Sequence, residues 1–247
     1  MTARILIDAA RELSAAVDAL PFAPPVTHVY NPLDYAWEVH RRYLERYGDG
    51  RRRVVFVGMN PGPFGMAQIG VPFGEIASAR DWLGLEGPVG QPLIVNPKRP
   101  VEGFACARSE VSGQRLWGLF RARYGAPEAF FAEHFVANYC PLVFFEGGRN
   151  LTPDKLPVAE QRPLLAACDR HLRRLVELME PRWVIGIGTF AEKRAQKVLG
   201  DAVKIGRILH PSPASPLANS GWAEAVAAEL QAQGVCPLAE MLQAPGP

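Results

Sequence analysis

VVFVGMNPGPFGMAQIGVPFG, residues 54–74, starts as an unbroken apolar run, meets Asn60, and continues as a loop of glycines, prolines and apolar residues without a charge. A short apolar run closed by turn-forming residues is the pattern of a strand buried on both faces. Outward from it, the same pattern recurs in WVIGIG at 183–188 and VKIGRIL at 203–209, and HFVANYCPLVFF at 134–145 fits a strand ending near Asn138. PLIVN at 92–96 is a weaker strand candidate, because Pro92 and Pro97 interrupt it. Helical spacing or composition predicts helices near 2–19, 33–47, 75–84, 109–124, 127–132, 163–179, 189–199 and 219–233, with Pro163 in the first turn of its helix. Strands alternating with helices predict an α/β chain with a parallel sheet covered on both faces.

The chain has 247 residues, 48% of them hydrophobic, which suits one α/β domain over 1–247; no internal repeat or long linker divides it. Its 27 Lys and Arg against 25 Asp and Glu leave a net charge of +2, too small to announce nucleic acid by itself. The basic residues are uneven, however: Arg41, Arg42, Arg46 and Arg51 to Arg53 precede the first apolar strand, and Lys98, Arg99, Arg108, Arg115, Arg121 and Arg123 form a second region diluted by Glu102 and Glu110. Taken alone, each cluster is equally a solvated face. Arg4, Asp8 and Arg11 break the N-terminal apolar segment before it could act as a signal peptide or membrane span, so a cytoplasmic protein is expected. The cysteines Cys106, Cys140, Cys168 and Cys236 lie far apart with no C-x-x-C pair, the pattern of free core thiols rather than of a zinc or iron–sulfur site.

In an open α/β sheet, ligands bind beyond the carboxyl ends of the strands. Asn60, Asn138 and His210 each fall just past an apolar run, where three hydrogen-bonding side chains can meet one small ligand. Singly, each has a plainer reading as a turn former or loop support. GIGTFA at 186–191 matches a dinucleotide fingerprint, but the next strand ends in Leu209-His210-Pro211 without the acid that would hold a ribose, so its glycines read as close strand-to-helix packing. The loop after Asn60 is a poor phosphate cradle, since proline has no N–H to offer. Glycines that admit a flat ligand and prolines that stiffen the wall fit it better, with Phe64, Met66 and Phe73 as apolar or stacking surface.

GMNPGPFGMAQ, VPFGE, NPKRP, SEVSGQRLWG, FVANYCPL, GRNLTP and HPSP, in this order over roughly residues 30–238, resemble the single-strand-selective monofunctional uracil-DNA glycosylase family. The resemblance implies the fold of the uracil-DNA glycosylase superfamily, a three-layer sandwich with a central four-stranded mostly parallel sheet. It also implies hydrolysis of the bond between uracil and deoxyribose after the nucleotide is flipped out, leaving an abasic site. Phe73 would stack on the base and Asn138 would read uracil by donating to O4 and accepting from N3–H. His210 would donate to O2, and Asn60, an amide that cannot take a proton, would only position the water. Gly62 and Met66 would line the pocket near C5 and admit 5-hydroxymethyluracil, with Met59 and Phe64 completing the base site. Lys98, Arg99, Ser112, Pro211, Ser212, Pro213, Ala214 and Ser215 would meet the DNA.

Two positions depart from better known animal members. Ala214 stands where they carry a wedging arginine, and Asn96 stands where histidine is common. The nearest candidate for an amine nucleophile is Lys98 of NPKRP, whose basic surroundings suit phosphate contact better, so base removal without strand cleavage is expected. So are no metal, no cofactor, no membrane and no obligate protein partner. The partner is uracil-containing DNA, single- or double-stranded, met by a monomer in the cytoplasm of a bacterium or the nucleus of a eukaryote. Two rivals share the fold: a glycosylase for xanthine or hypoxanthine, and a non-catalytic binder of damaged DNA.

Overall fold

The computed structural model describes residues 1–235. Four strands, β2 (Val54–Gly58), β3 (His134–Asn138), β6 (Trp183–Ile187) and β7 (Lys204–Ile208), form one parallel sheet in the order β3-β2-β6-β7. Val54 pairs with His134 on one side and with Trp183 on the other, which brings the carboxyl end of β2 level with Asn138. Every residue of β2 is buried, as a central parallel strand requires.

Helices α1 (Thr2–Asp18), α2 (Pro32–Tyr35), α3 (Trp37–Tyr47), α4 (Met66–Ile69), α5 (Val111–Tyr124), α6 (Pro127–Phe131), α7 (Val158–Met179), α8 (Thr189–Leu199) and α9 (Trp222–Ala232) flank the sheet. α1 packs on α7 and α3, and α8 packs on β6 and β7. The main apolar cluster runs from Leu6 to Val235, and a smaller one gathers Tyr30, Tyr35, Ala36, Ala67, Val101, Val143 and Phe145.

A second, antiparallel sheet was not expected: β1 (His28–Tyr30), β4 (Val143–Glu146) and β5 (Arg149–Leu151), in the order β1-β4-β5. The run 134–145 is therefore two strands. Pro141 cannot donate to a ladder, and β3 stops at Asn138 before β4 begins in the other sheet. PLIVN is not a strand; Leu93 is fully exposed and Ile94 is 66% exposed. The helix expected from Pro163 begins a turn and more earlier, at Val158, so Pro163 sits inside α7. The glycines of GIGTFA do pack closely: a Cβ at Gly186 would lie 2.3 Å from the Glu192 amide nitrogen. Cys106, Cys140 and Cys168 are buried free thiols, and Cys236 lies outside the described residues.

His40 and His134 are buried and His171 is half-buried, and desolvation lowers each from 6.5 to a pKa of about 4. A folded-state pKa below the unfolded value means that the unfolded chain binds more protons on acidification. Stability is thus full above about pH 6.5 and is lost as the pH falls toward 4, by up to about 1.4 kcal/mol per pH unit for each histidine. Thermal unfolding between pH 7.5 and 5 is expected to show a falling Tm; a constant Tm over that range would mean that these rings are not held neutral.

Candidate active site

Beyond the carboxyl ends of β2, β3 and β7 lies a cavity of about 380 Å³ lined by Met59, Asn60, Gly62, Met66, Phe73, Asn138 and His210, among others. The strand-tip residues therefore do converge. Asn60 follows β2, and its Nδ2 donates to the Leu142 carbonyl oxygen at 3.1 Å. That bond fixes the amide plane and leaves Oδ1 as the atom able to accept a hydrogen bond from water.

Asn138 ends β3 opposite Gly58. Its Nδ2 donates to the Met66 sulfur at 3.2 Å, a weak acceptor, while its Oδ1 is buried with no hydrogen-bond partner among the described residues. Such an orphan acceptor costs about 1–3 kcal/mol in an empty pocket and marks a place built for a donor.

Phe73 packs at the same point. A Cβ at Gly58 would lie 2.5 Å from the Phe73 ring and 2.6 Å from Asn138 Oδ1, so both side chains occupy the space that glycine leaves above the end of β2. Phe73 has φ of 52°, a left-handed conformation costing on the order of 1 kcal/mol or more for such a residue. It is held there from outside: its carbonyl accepts from Trp117 Nε1 at 3.1 Å and from the Glu75 amide at 2.8 Å, and Gly113 of α5 presses so close that a Cβ would reach 2.0 Å from that oxygen. Gly58→Ala is expected to push ring and amide apart and lower kcat/KM by about 10²-fold; an active Gly58→Ala protein would show that this corner does not hold substrate.

His210 follows β7, its ring centroid 6.3 Å from that of Phe73. Its Nδ1 faces the Ser212 amide, which donates to it at 3.1 Å, so the proton of the neutral ring sits on Nε2. Burial lowers the pKa of the ring and favours that neutral form. Gly188, at φ of 90°, leaves room for it: a Cβ there would lie 3.2 Å from His210 Cβ. Arg115 of α5 donates to the Pro211 carbonyl at 2.9 Å and to Asn219 Oδ1 at 3.0 Å, which ties down the loop that follows the histidine.

The remaining expected residues divide. Ser112 and Ser212 line the cavity. Phe64 does not; its ring lies under the guanidinium groups of Arg108, at 3.9 Å, and Arg99, at 5.2 Å. Lys98, Pro213 and Ala214 are exposed and Ser215 half-buried on the loops around the cavity, whereas Pro211 is buried. Asn96 is also buried: its side chain donates to the Gly147 carbonyl and accepts from the Lys98 amide, so it shapes the loop. Among the described residues, no three His, Cys, Asp or Glu side chains gather as a metal site, and no helix is long and apolar enough to cross a membrane.

Glu110, Asn150 and Thr152 line the cavity as well and were not expected there. The motifs SEVSG and GRNLTP contain them, but Glu110 reads in the sequence only as a diluent of basic charge. Asn150 and Thr152 arrive through the unforeseen antiparallel sheet.

Residues 45–231 match the family model of the uracil DNA glycosylase superfamily. The chain is also 51% identical, over 92% of its length and 82% of the relative's, to a mouse protein named single-strand selective monofunctional uracil DNA glycosylase. The chain belongs to the uracil-DNA glycosylase superfamily. A bovine protein of the same name is 53% identical over 89% of this chain and 82% of its own. The crystal structure of wild-type SMUG2 from Pedobacter heparinus superposes with a TM-score of 0.65 at 18% identity, covering 91% of this chain and 96% of that one, a likeness of fold.

Proposed function

We propose that the protein is a monofunctional uracil-DNA glycosylase of DNA repair: it hydrolyses the N-glycosidic bond of a uracil extruded from DNA and leaves an abasic site. The observation that carries this reading is the unpartnered Oδ1 of Asn138, buried beside the Phe73 ring. Uracil offers N3–H to that oxygen and O4 to Nδ2, which exchanges a poor thioether acceptor for a good one. Cytosine offers an acceptor at N3 and a donor at C4, so both contacts would be mismatched and a buried group left unpaired, the condition under which a site rejects strongly.

Nε2–H of His210 then meets O2, where negative charge grows as the C1′–N1 bond breaks and its electron pair stays with the uracil. Asn60 Oδ1 accepts one hydrogen of the water whose oxygen adds to C1′. An amide takes no proton, so the rate comes mainly from a dissociative path, with the leaving anion stabilised by His210 and the sugar cation by the DNA phosphates, and the proton shed by the water after its oxygen joins C1′ passes to solvent or to the uracil anion.

The exposed Lys98 and the basic Arg99 and Arg108 suit phosphate contact, and 5-hydroxymethyluracil is a second substrate of this reading. The larger apolar cluster, drawn from both ends of the described chain, supports one domain. Purified protein is expected to generate alkali-labile sites in a uracil-containing oligonucleotide without cutting the strand itself. Preferential release of xanthine or hypoxanthine in competition would replace this reading, and tight binding without any alkali-labile site would make the protein a binder.

A further inference from the structure

PLIVN, the apolar stretch that is not a strand, has no task in the core or in the base cavity. Leu93 is fully exposed, and Ile94 and Val95 are exposed beside it. The segment is pinned at both ends, so this exposure is built into the fold. Before it, the Gly90 amide donates to the Tyr35 carbonyl at 2.7 Å and Gln91 Nε2 donates to the Val101 carbonyl at 2.8 Å. After it, the Asn96 amide donates to the Tyr30 hydroxyl at 2.7 Å, and the Asn96 side chain donates to the Gly147 carbonyl. Neighbouring apolar side chains held toward water mark an interaction surface.

Leu93 and Ile94 line a groove of about 510 Å³ that shares no lining residue with the base cavity. Leu20, Phe22, Val26 and Val29 line it too, together with two acids, Asp18 and Asp34. Asp18 is the last residue of α1, at the negative end of that helix, and Asp34 lies in the first turn of α2. Asp18 Oδ1 accepts from Asn31 Nδ2 at 2.9 Å, and burial, with the charge of Asp34 added, still raises its pKa. Among the described residues no ion pair reaches either carboxylate. Two uncompensated carboxylates in an apolar groove repel phosphate and attract a positive side chain.

We propose that this groove docks a segment of a partner protein in which a Lys or Arg is flanked by apolar side chains, the cation meeting Asp18 and Asp34 and the apolar residues covering Leu93 and Ile94. The inference does not depend on the uracil reading. Other occupants fit the charge less well. DNA is repelled, and a twofold contact between copies would bring the same two acids of both chains into one interface. The chain's own residues 236–247 carry Glu240 and no Lys or Arg.

Selection of a phage-displayed library of short random peptides on the full-length protein tests the proposal. The enriched sequences are expected to carry a Lys or Arg between apolar residues, and replacing that cation by Glu should abolish binding to the wild-type protein. The double variants Asp18→Asn/Asp34→Asn and Leu93→Ser/Ile94→Ser should each bind the selected peptides at least about tenfold more weakly than the wild type. Asparagine at 18 keeps an acceptor for Asn31 Nδ2, and Leu93 and Ile94 lie outside the core, so both variants should melt as the wild type does. A selection that enriches no sequence would overturn the proposal, as would enriched peptides without a cation or peptides that either variant holds as tightly as the wild type. So would a wild-type dimer in sedimentation that Leu93→Ser/Ile94→Ser dissociates, which would give the face to a second copy. Weaker oligonucleotide binding by that variant would give it to DNA and overturn the proposal equally.

Discussion

Asn138→Ala should lose about 10²–10⁴-fold in kcat/KM on uracil while keeping, or slightly raising, its melting temperature. The loss follows from two hydrogen bonds in a desolvated slot, each worth about 1–3 kcal/mol once its partner is left unpaired. The stability follows from what the native residue endures: Oδ1 is buried without a partner and Nδ2 rests on a sulfur, so the empty pocket carries a cost that alanine removes. Asn138→Asp separates readout from packing. An ionised carboxylate still accepts from N3–H but opposes O4, and a protonated one presents to cytosine the donor and acceptor that cytosine needs. Single-turnover rates on uracil and cytosine oligonucleotides, with thermal melts of each variant, check this. An alanine variant within tenfold of wild type would place base recognition elsewhere.

His210→Ala is expected to lower kcat by about 10²–10³-fold with oligonucleotide binding retained, the usual loss when one donor to a developing oxyanion is removed. The pH profile of the wild type distinguishes how the ring acts. Its pKa is lowered by burial, and the Ser212 amide donates to Nδ1, so at neutral pH the ring is uncharged with its proton on Nε2. Activity should therefore hold steady as the pH rises from about 6.5 to 8. It should fall only on acidification well below 6.5, where a proton on Nδ1 would face the Ser212 N–H and break that contact. A rate that drops about tenfold per unit above pH 6.5 would instead identify an imidazolium acting as acid.

The parallel sheet was readable because its strands are buried on both faces and so appear as continuous apolar runs: Val54 to Gly58 and Trp183 to Ile187 fall within a residue of expectation. Asn60, Asn138 and His210 could be picked out for the same reason, each being the first strongly polar side chain after such a run. The antiparallel sheet could not. Its strands β1 and β5 are short, β5 is largely exposed, and β4 follows β3 so closely that the two read as one apolar stretch interrupted at Asn138, with nothing to say that the second part joins another sheet. Pro163 misplaced a helix start because proline is expected in a first turn, whereas here it lies in the second turn of α7, where it removes an i→i−4 hydrogen bond. Glu110 was invisible for a different reason. Its place in the cavity depends on Gly62 and Gly65 lying opposite it across 45 residues or more of chain, a contact no local pattern encodes. Phe64 erred the other way: an aromatic in a pocket loop reads as base surface, but here the guanidinium groups of Arg99 and Arg108 occupy its ring.

The account depends on one slot, closed by Phe73, in which Asn138 Oδ1 waits for a donor. A crystal structure with free uracil, or with a uracil-containing strand and the slowed Asn60→Ala variant, measures this directly. The predicted result is uracil against the Phe73 ring, with N3 about 2.9 Å from Asn138 Oδ1 and O2 at similar distance from His210 Nε2. Uracil bound elsewhere, or turned so that N3 faces neither oxygen nor any contact of Asn138, would contradict it.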